Sequence, residues 1–211
     1  MGLLEIMRLG GAIMWVLLGI SVAAGAVVAE RLLFFRRAST DPVRLEGGIG
    51  TALWEESPEE ALRLAASRDG SLHRIFAAAL GHWDAPAETL KLLLEQELRR
   101  EVFRWEKGLS LLSALARVAP LLGLLGTVLG MVEIFRALPS AGMASPMLVL
   151  SGGIWKALLT TVAGLVVAVP IVLAHTYLVS RILRAEEGLE RGADFLLREK
   201  LLGRGARRNG A

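Results

Sequence analysis

Three long apolar blocks break up an otherwise mixed pattern of hydrophobic and polar positions. Leu9–Ala29 carries no charge, Leu109–Phe135 carries only Arg117 and Glu133, and Ile154–Ser180 carries only Lys156. A helix needs about 20 mainly apolar residues to cross the hydrocarbon of a bilayer. Each block exceeds an ordinary buried helix, so the pattern predicts transmembrane helices over 9–29, 109–135 and 154–180. All three blocks are rich in Gly, Ala, Ser and Thr, the residues that let membrane helices approach closely. The fold class expected is therefore an all-α integral membrane protein with three spans.

Between the first two spans, residues 30–108 alternate apolar and polar positions at helical spacing. One helix is predicted from Ser57-Pro58-Glu59-Glu60, with Ser as N-cap and Pro in the first turn. A second runs through Leu72, Ile75, Phe76, Ala79 and Leu80. A third starts after Ala85-Pro86 and places Leu90, Leu93, Leu94 and Leu98 on one side. No Gly or Pro interrupts residues 87–107, so this helix is expected to continue into the second span as one rod. At about 1.5 Å per residue the rod would rise some 30 Å above the membrane. In 181–211, Leu189, Ala193, Leu196 and Lys200 recur at helical spacing and predict a C-terminal helix packed on that rod. The last stretch, from Gly203, reads as a frayed basic tail.

Charge adds the orientation. The chain has 24 basic and 21 acidic residues, but their placement matters more than their balance. Arg31, Arg36 and Arg37 follow the first span, Arg99, Arg100, Arg104 and Lys107 precede the second, and Arg181 and Arg184 follow the third. The connection 136–153 is uncharged after Arg136, and residues 1–8 hold Arg8 as their one basic residue. By the positive-inside rule, 1–8 and 136–153 lie outside, in the periplasm, and 30–108 and 181–211 lie in the cytoplasm. The first block has its basic residues after it, the reverse of a secretory signal, so it is expected to be retained as a span.

Composition removes several classes of function. A net charge of +3 does not suggest nucleic-acid binding. The absence of cysteine excludes disulfides, thiolate metal sites and cysteine catalysis. His73, His82 and His175 are too scattered for a histidine metal site. His73 and His82 read as surface or packing residues. No phosphate-cradling loop or nucleophile–base pair appears, so no enzyme activity, catalytic residue or cofactor is expected.

Polar residues inside the spans are the informative ones, because they are costly there. In the second span Pro120, Gly123, Thr127 and Gly130 share a face. In the third, Ala157, Thr161, Gly164 and Ala168 do the same. Two readings fit these small-residue faces. They could be helix-packing seams whose hydroxyls bond a carbonyl one turn back. Alternatively, they could line a narrow polar conduit. Pro120 and Pro170 are expected to kink their helices. Glu133 precedes Arg136 by three residues and reads as its interfacial ion-pair partner. Lys156 lies about 140° around the helix from Thr161, on the Thr160 side, where its chain could snorkel to the outer interface.

These runs carry a resemblance. Ala-Pro-Leu-Leu-Gly-Leu-Leu-Gly-Thr-Val-Leu-Gly at 119–130 and the stretch Gly153–Pro170 resemble the two characteristic runs of the MotA/TolQ/ExbB proton-channel family, in its ExbB/TolQ branch. Ala29-Glu30-Arg31-Leu32 ends the first span as in family members. The resemblance covers nearly the whole chain. It implies a homo-oligomer, typically of five copies, around a pore lined by spans two and three in the bacterial inner membrane. It also implies an ExbD/TolR-like single-span partner that supplies a proton-accepting aspartate, and a TonB/TolA-like transducer that receives the work of the proton-motive force. The pore threonines of the family map onto Thr127 and Thr161, with Gly123, Gly130, Ala157, Gly164 and Ala168 as pore-facing small residues. Lys156 departs from the pattern, since many relatives have glutamate there. It is a candidate modulator, and it keeps open a second function, a non-conducting scaffold that gathers partners in the membrane.

Overall fold

The computed structural model describes residues 7, 10–38, 42–55, 57–137 and 146–209. Among them the fold is all-α, with helices α1 (Ala12–Ala38), α2 (Pro42–Trp54), α3 (Pro58–Ala65), α4 (Ser71–Leu80), α5 (Ala87–Glu106), α6 (Leu109–Ala137) and α7 (Pro146–Asn209). They form two compact units. The apolar unit holds residues 1–30 and 108–178, and the polar unit holds 31–107 and 179–211.

Three helical stretches of the described residues are long and apolar enough to cross a membrane. In the apolar unit most large side chains on these stretches face outward: Val22, Leu121, Phe135, Val166 and Leu173 are all more than 60% exposed. Such surface is stable only against hydrocarbon or other apolar helices. α6 runs through Pro120 and α7 through Pro170 without a break. Proline lacks the N–H that would bond the carbonyl four residues back. In a bilayer, neighbouring groups can satisfy that carbonyl.

The expected rod does not form as one helix. α5 ends at Glu106, Lys107 is extended (ψ 128°) and Gly108 has φ +82°. The break is glycine's doing: a left-handed φ is strained for any residue with a Cβ. A Cβ at Gly108 would also lie 3.2 Å from Val27 Cγ1. The Leu112 amide then bonds the Gly108 carbonyl and starts α6. Two further boundaries differ from expectation. α7 starts at Pro146, eight residues before the predicted span, and it stays helical through Asn209, where a frayed tail was expected.

The polar unit is built on a conventional core. Leu45, Ile49 and Ala52 of α2 join Ala61 and Ala65 of α3, Leu72, Ile75, Phe76 and Ala79 of α4, Leu90 and Leu94 of α5, and Leu189 and Leu196 of α7. Ser57 occupies the N-cap position of α3 and Pro58 its first turn, as the sequence predicted, though the Ser57 side chain makes no capping bond. The Ser57 carbonyl instead accepts from Glu60 and Ala61. Leu189 and Leu196 of the tail enter this core with Ala193 packed against it, and the tail's contacts reach α4 and the turn after it rather than the expected rod alone: a Cβ at Gly192 would run into Leu72 and Phe76, and Lys200 Nζ donates to the Trp83 carbonyl. α2 has no counterpart in the sequence reading.

A buried charge also sits in this unit. Glu101 is 2% exposed and accepts from Arg74 Nη2 (2.6 Å), Arg74 Nε (2.9 Å) and Arg104 Nη1 (2.8 Å). Hydrogen bonding to Glu101 raises the Arg74 pKa above its ordinary value. Beside the pair, Trp105 Nε1 donates to Ser71 Oγ (2.9 Å), and the Trp105 ring stacks on Phe35 at 4.9 Å. His73 is buried and His82 exposed, with a ring nitrogen 3.0 Å from the Ala78 carbonyl.

Candidate functional site

The polar groups of the apolar unit gather where α6 meets α7. The two helices are antiparallel: moving along α6 means moving back along α7. Gly123 faces Gly164, Gly130 faces Ala157, and Ile134 faces Gly153. A Cβ at Gly164 would lie 2.7 Å from the Ala119 carbonyl and 3.0 Å from Gly123 Cα. Both are backbone atoms, which have little room to yield. The missing side chains are therefore what allows this approach, the physical use of small residues in membrane helices.

Gly123, Gly130, Ala157, Gly164 and Ala168 were expected to face a pore. In the single chain all five are buried, the first four in the α6–α7 contact. The close packing brings two threonines of α7 to one carbonyl of α6, with Thr127 of α6 one turn away. Thr161 Oγ1 donates to the Gly123 carbonyl of α6 (3.1 Å). Thr160 Oγ1 donates to Ala157 O (2.7 Å), lies 3.4 Å from the same Gly123 carbonyl and fills the space over Gly126. Thr127 Oγ1 donates to Leu124 O of its own helix (2.6 Å). It stands one turn beyond Gly123, about 6 Å along the axis.

Thr160 is the residue the sequence reading passed over. It is 2% exposed, the most deeply buried of the three, while Thr161 is half-buried. Neighbours on a helix differ by about 100°, so the two threonines border the same seam. Which of them enters it depends on where α6 lies. A matching signal was present, since Gly126, like Gly123 and Gly130, is a gap that a neighbour must fill.

Each hydroxyl gives its one proton to a carbonyl and keeps lone pairs free to accept. A threonine held this way can receive a hydrogen bond from water or from a protonated carboxyl group. That is the chemistry of a relay, and it requires a titrating group from elsewhere. Among the described residues, no cluster of three or more His, Asp or Glu side chains is placed to hold a metal.

Glu133 and Lys156 close the seam on the Gly130 side. The sequence paired Glu133 with Arg136, but Glu133 Oε2 lies 2.8 Å from Lys156 Nζ. The register explains the difference: Ile134 against Gly153 and Gly130 against Ala157 bring positions 133 and 156 opposite each other. Arg117, near the other end, is exposed, and its Nε donates to Ser113 O (3.3 Å).

Residues 67–191 match the MotA/TolQ/ExbB proton channel family, more than half of the chain. The chain belongs to this family. The match spans the seam and much of the polar unit. An ExbB homolog of biopolymer transport from Methanothermobacter thermautotrophicus is 28% identical over 85% of the chain and 63% of its own length. The biopolymer transport protein exbB1 of Vibrio cholerae is 33% identical over 77% of the chain and 72% of its own length. The Tol-Pal system protein TolQ of Haemophilus influenzae is 35% identical over 49% of the chain and 46% of its own length. The chain thus spans less than two thirds of the length of the Methanothermobacter and Haemophilus relatives. With three helices long and apolar enough to cross a membrane and a proton channel family match, it is a membrane protein of a transport family.

Proposed function

We propose that the protein is the proton-channel subunit of an ExbB/TolQ-like motor in the bacterial inner membrane, with its N-terminus outside and its polar unit in the cytoplasm. The observation that carries this reading is the threonine cluster around the Gly123 carbonyl, in a family of proton channels. Three oriented hydroxyls sit in an apolar unit whose outer surface suits only lipid or other helices. Spans two and three hold no aspartate, so the proton acceptor comes from a partner. An ExbD/TolR-like single-span protein carrying an intramembrane aspartate fits that need. Several copies of the chain, five by analogy, would surround it. Each proton crossing 100 mV releases about 2.3 kcal/mol, which a TonB/TolA-like transducer would turn into transport or envelope work.

Substitution of the hydroxyls tests this directly. Thr127→Val and Thr161→Val keep shape and remove the polar group. Both are expected to abolish proton flux in vesicles while the complex still assembles. Wild-type flux in both variants would discard the pore assignment. A second reading, a non-conducting scaffold, draws support from the seam itself, because every threonine hydroxyl there is already bonded within the chain. Copurification of a partner with no intramembrane carboxylate would favour it.

A further inference from the structure

Glu133 is the one carboxylate and Lys156 the one lysine within residues 109–135 and 154–180. They lie on different helices with 2.8 Å between Oε2 and Nζ. This ion pair joins α6 to α7 within the apolar unit. It is not sealed in: the Lys156 side chain is 37% exposed and that of Glu133 65%. Lys156 stands one helical turn from Thr160 on the same stripe of α7, so the pair borders the end of the threonine seam. Arg136, three residues on, is exposed and makes no ion pair with Glu133.

A fixed ammonium at such a place repels an approaching cation, and the low dielectric of an apolar wall focuses that field. A carboxylate in contact with it cancels most of the charge seen from outside. We propose that Glu133 is a specificity-determining residue of the channel: it neutralises Lys156, so that the end of the seam admits protons despite a lysine. This inference rests on the proton-channel reading. It also differs from a mechanical role, in which the pair merely ties α6 to α7. A tie fails equally whichever end is cut. A charge filter responds with opposite signs.

The experiment measures proton flux with a pH-sensitive dye in vesicles holding the complex with its single-span partner. Glu133→Gln bares the ammonium, and flux is expected to fall roughly tenfold. Lys156→Met leaves the carboxylate alone, and flux is expected to equal or exceed that of wild type. The double variant Glu133→Gln/Lys156→Met carries no charge at the site and is expected to recover most of the wild-type flux. Unchanged flux in Glu133→Gln, or a similar loss in both single variants, overturns the proposal. If Glu133→Gln fails to assemble, Lys156→Met decides alone, since any fall in its flux contradicts the charge filter. Thr161→Val in the same assay separates the two levels. Loss of flux there with Glu133→Gln unaffected refutes only the filter. A wild-type complex that passes no protons refutes the channel reading and the filter with it.

Discussion

The two units of this chain solve the packing problem in opposite ways. In the polar unit, large side chains fill the interior: Phe76, Ile75, Ile49, Leu90 and Leu196 are all under 2% exposed. In the apolar unit, the α6–α7 contact is made largely by the absence of side chains, and most of the large residues turn outward. The difference follows from the solvent. Water rewards burying apolar area, at about 25 cal/mol per Å². Lipid gives no such reward, so close backbone contact and interhelical hydrogen bonds must hold the helices together. The treatment of polar groups differs too. The polar unit buries a full charge, Glu101, between two arginines, whereas the seam buries hydroxyls and leaves its ion pair at the end.

The largest test of this contrast is in the polar unit. Arg74→Met leaves Glu101 with Arg104 alone and is expected to destabilise the unit by roughly 3 kcal/mol. Thermal unfolding of the full chain in detergent measures it. Adding Glu101→Leu removes the stranded charge and should recover much of the loss. If the double variant is no better, the network is not held by charge.

Next in size is the seam. Gly164→Ala drives a Cβ into backbone and should cost about 1–3 kcal/mol, read as a lower melting temperature in detergent. Gly188 lies on the same helix, with nothing within 4 Å of an added Cβ. There the same change should raise stability by about 1 kcal/mol, through helix propensity alone. Equal effects at the two glycines would dissolve the distinction between a packed seam and an open helix face.

The smallest effect concerns His73. Burial, with the nearby Arg68 charge adding to it, lowers its pKa below 6.5. A depressed folded pKa means that the unfolded chain binds more protons as pH falls, so stability rises with pH. The contribution is complete above about pH 6.5 and declines as the pH drops towards the folded pKa. His73→Leu is expected to flatten the melting temperature between pH 7 and pH 5. An unchanged acid slope would locate that dependence in other groups.

Much of this was legible in advance. The three spans showed themselves because apolar blocks of that length with at most two charges have no other stable home. α3 announced its start with Ser57-Pro58, and α4 and α5 through their apolar periodicity. α2 escaped because Gly47, Gly48 and Gly50 weaken its helical signal, and its buried stripe is only Leu45, Ile49 and Ala52. The break at Gly108 also escaped. One glycine at the edge of an apolar run is tolerated within many helices, and its left-handed φ of +82° is a backbone state that composition does not announce.

By itself, the sequence determined that the chain is helical, that three stretches suit a membrane, and that threonines and small residues mark one face of two spans. Those properties follow from local composition and the 3.6-residue period. Tertiary structure decided which threonine enters the seam, that Glu133 meets Lys156 rather than Arg136, and that Glu101 is buried against Arg74. Each of these is a contact across more than 20 residues of chain. Periodicity fixes a residue's face, but only the register between helices chooses its partner.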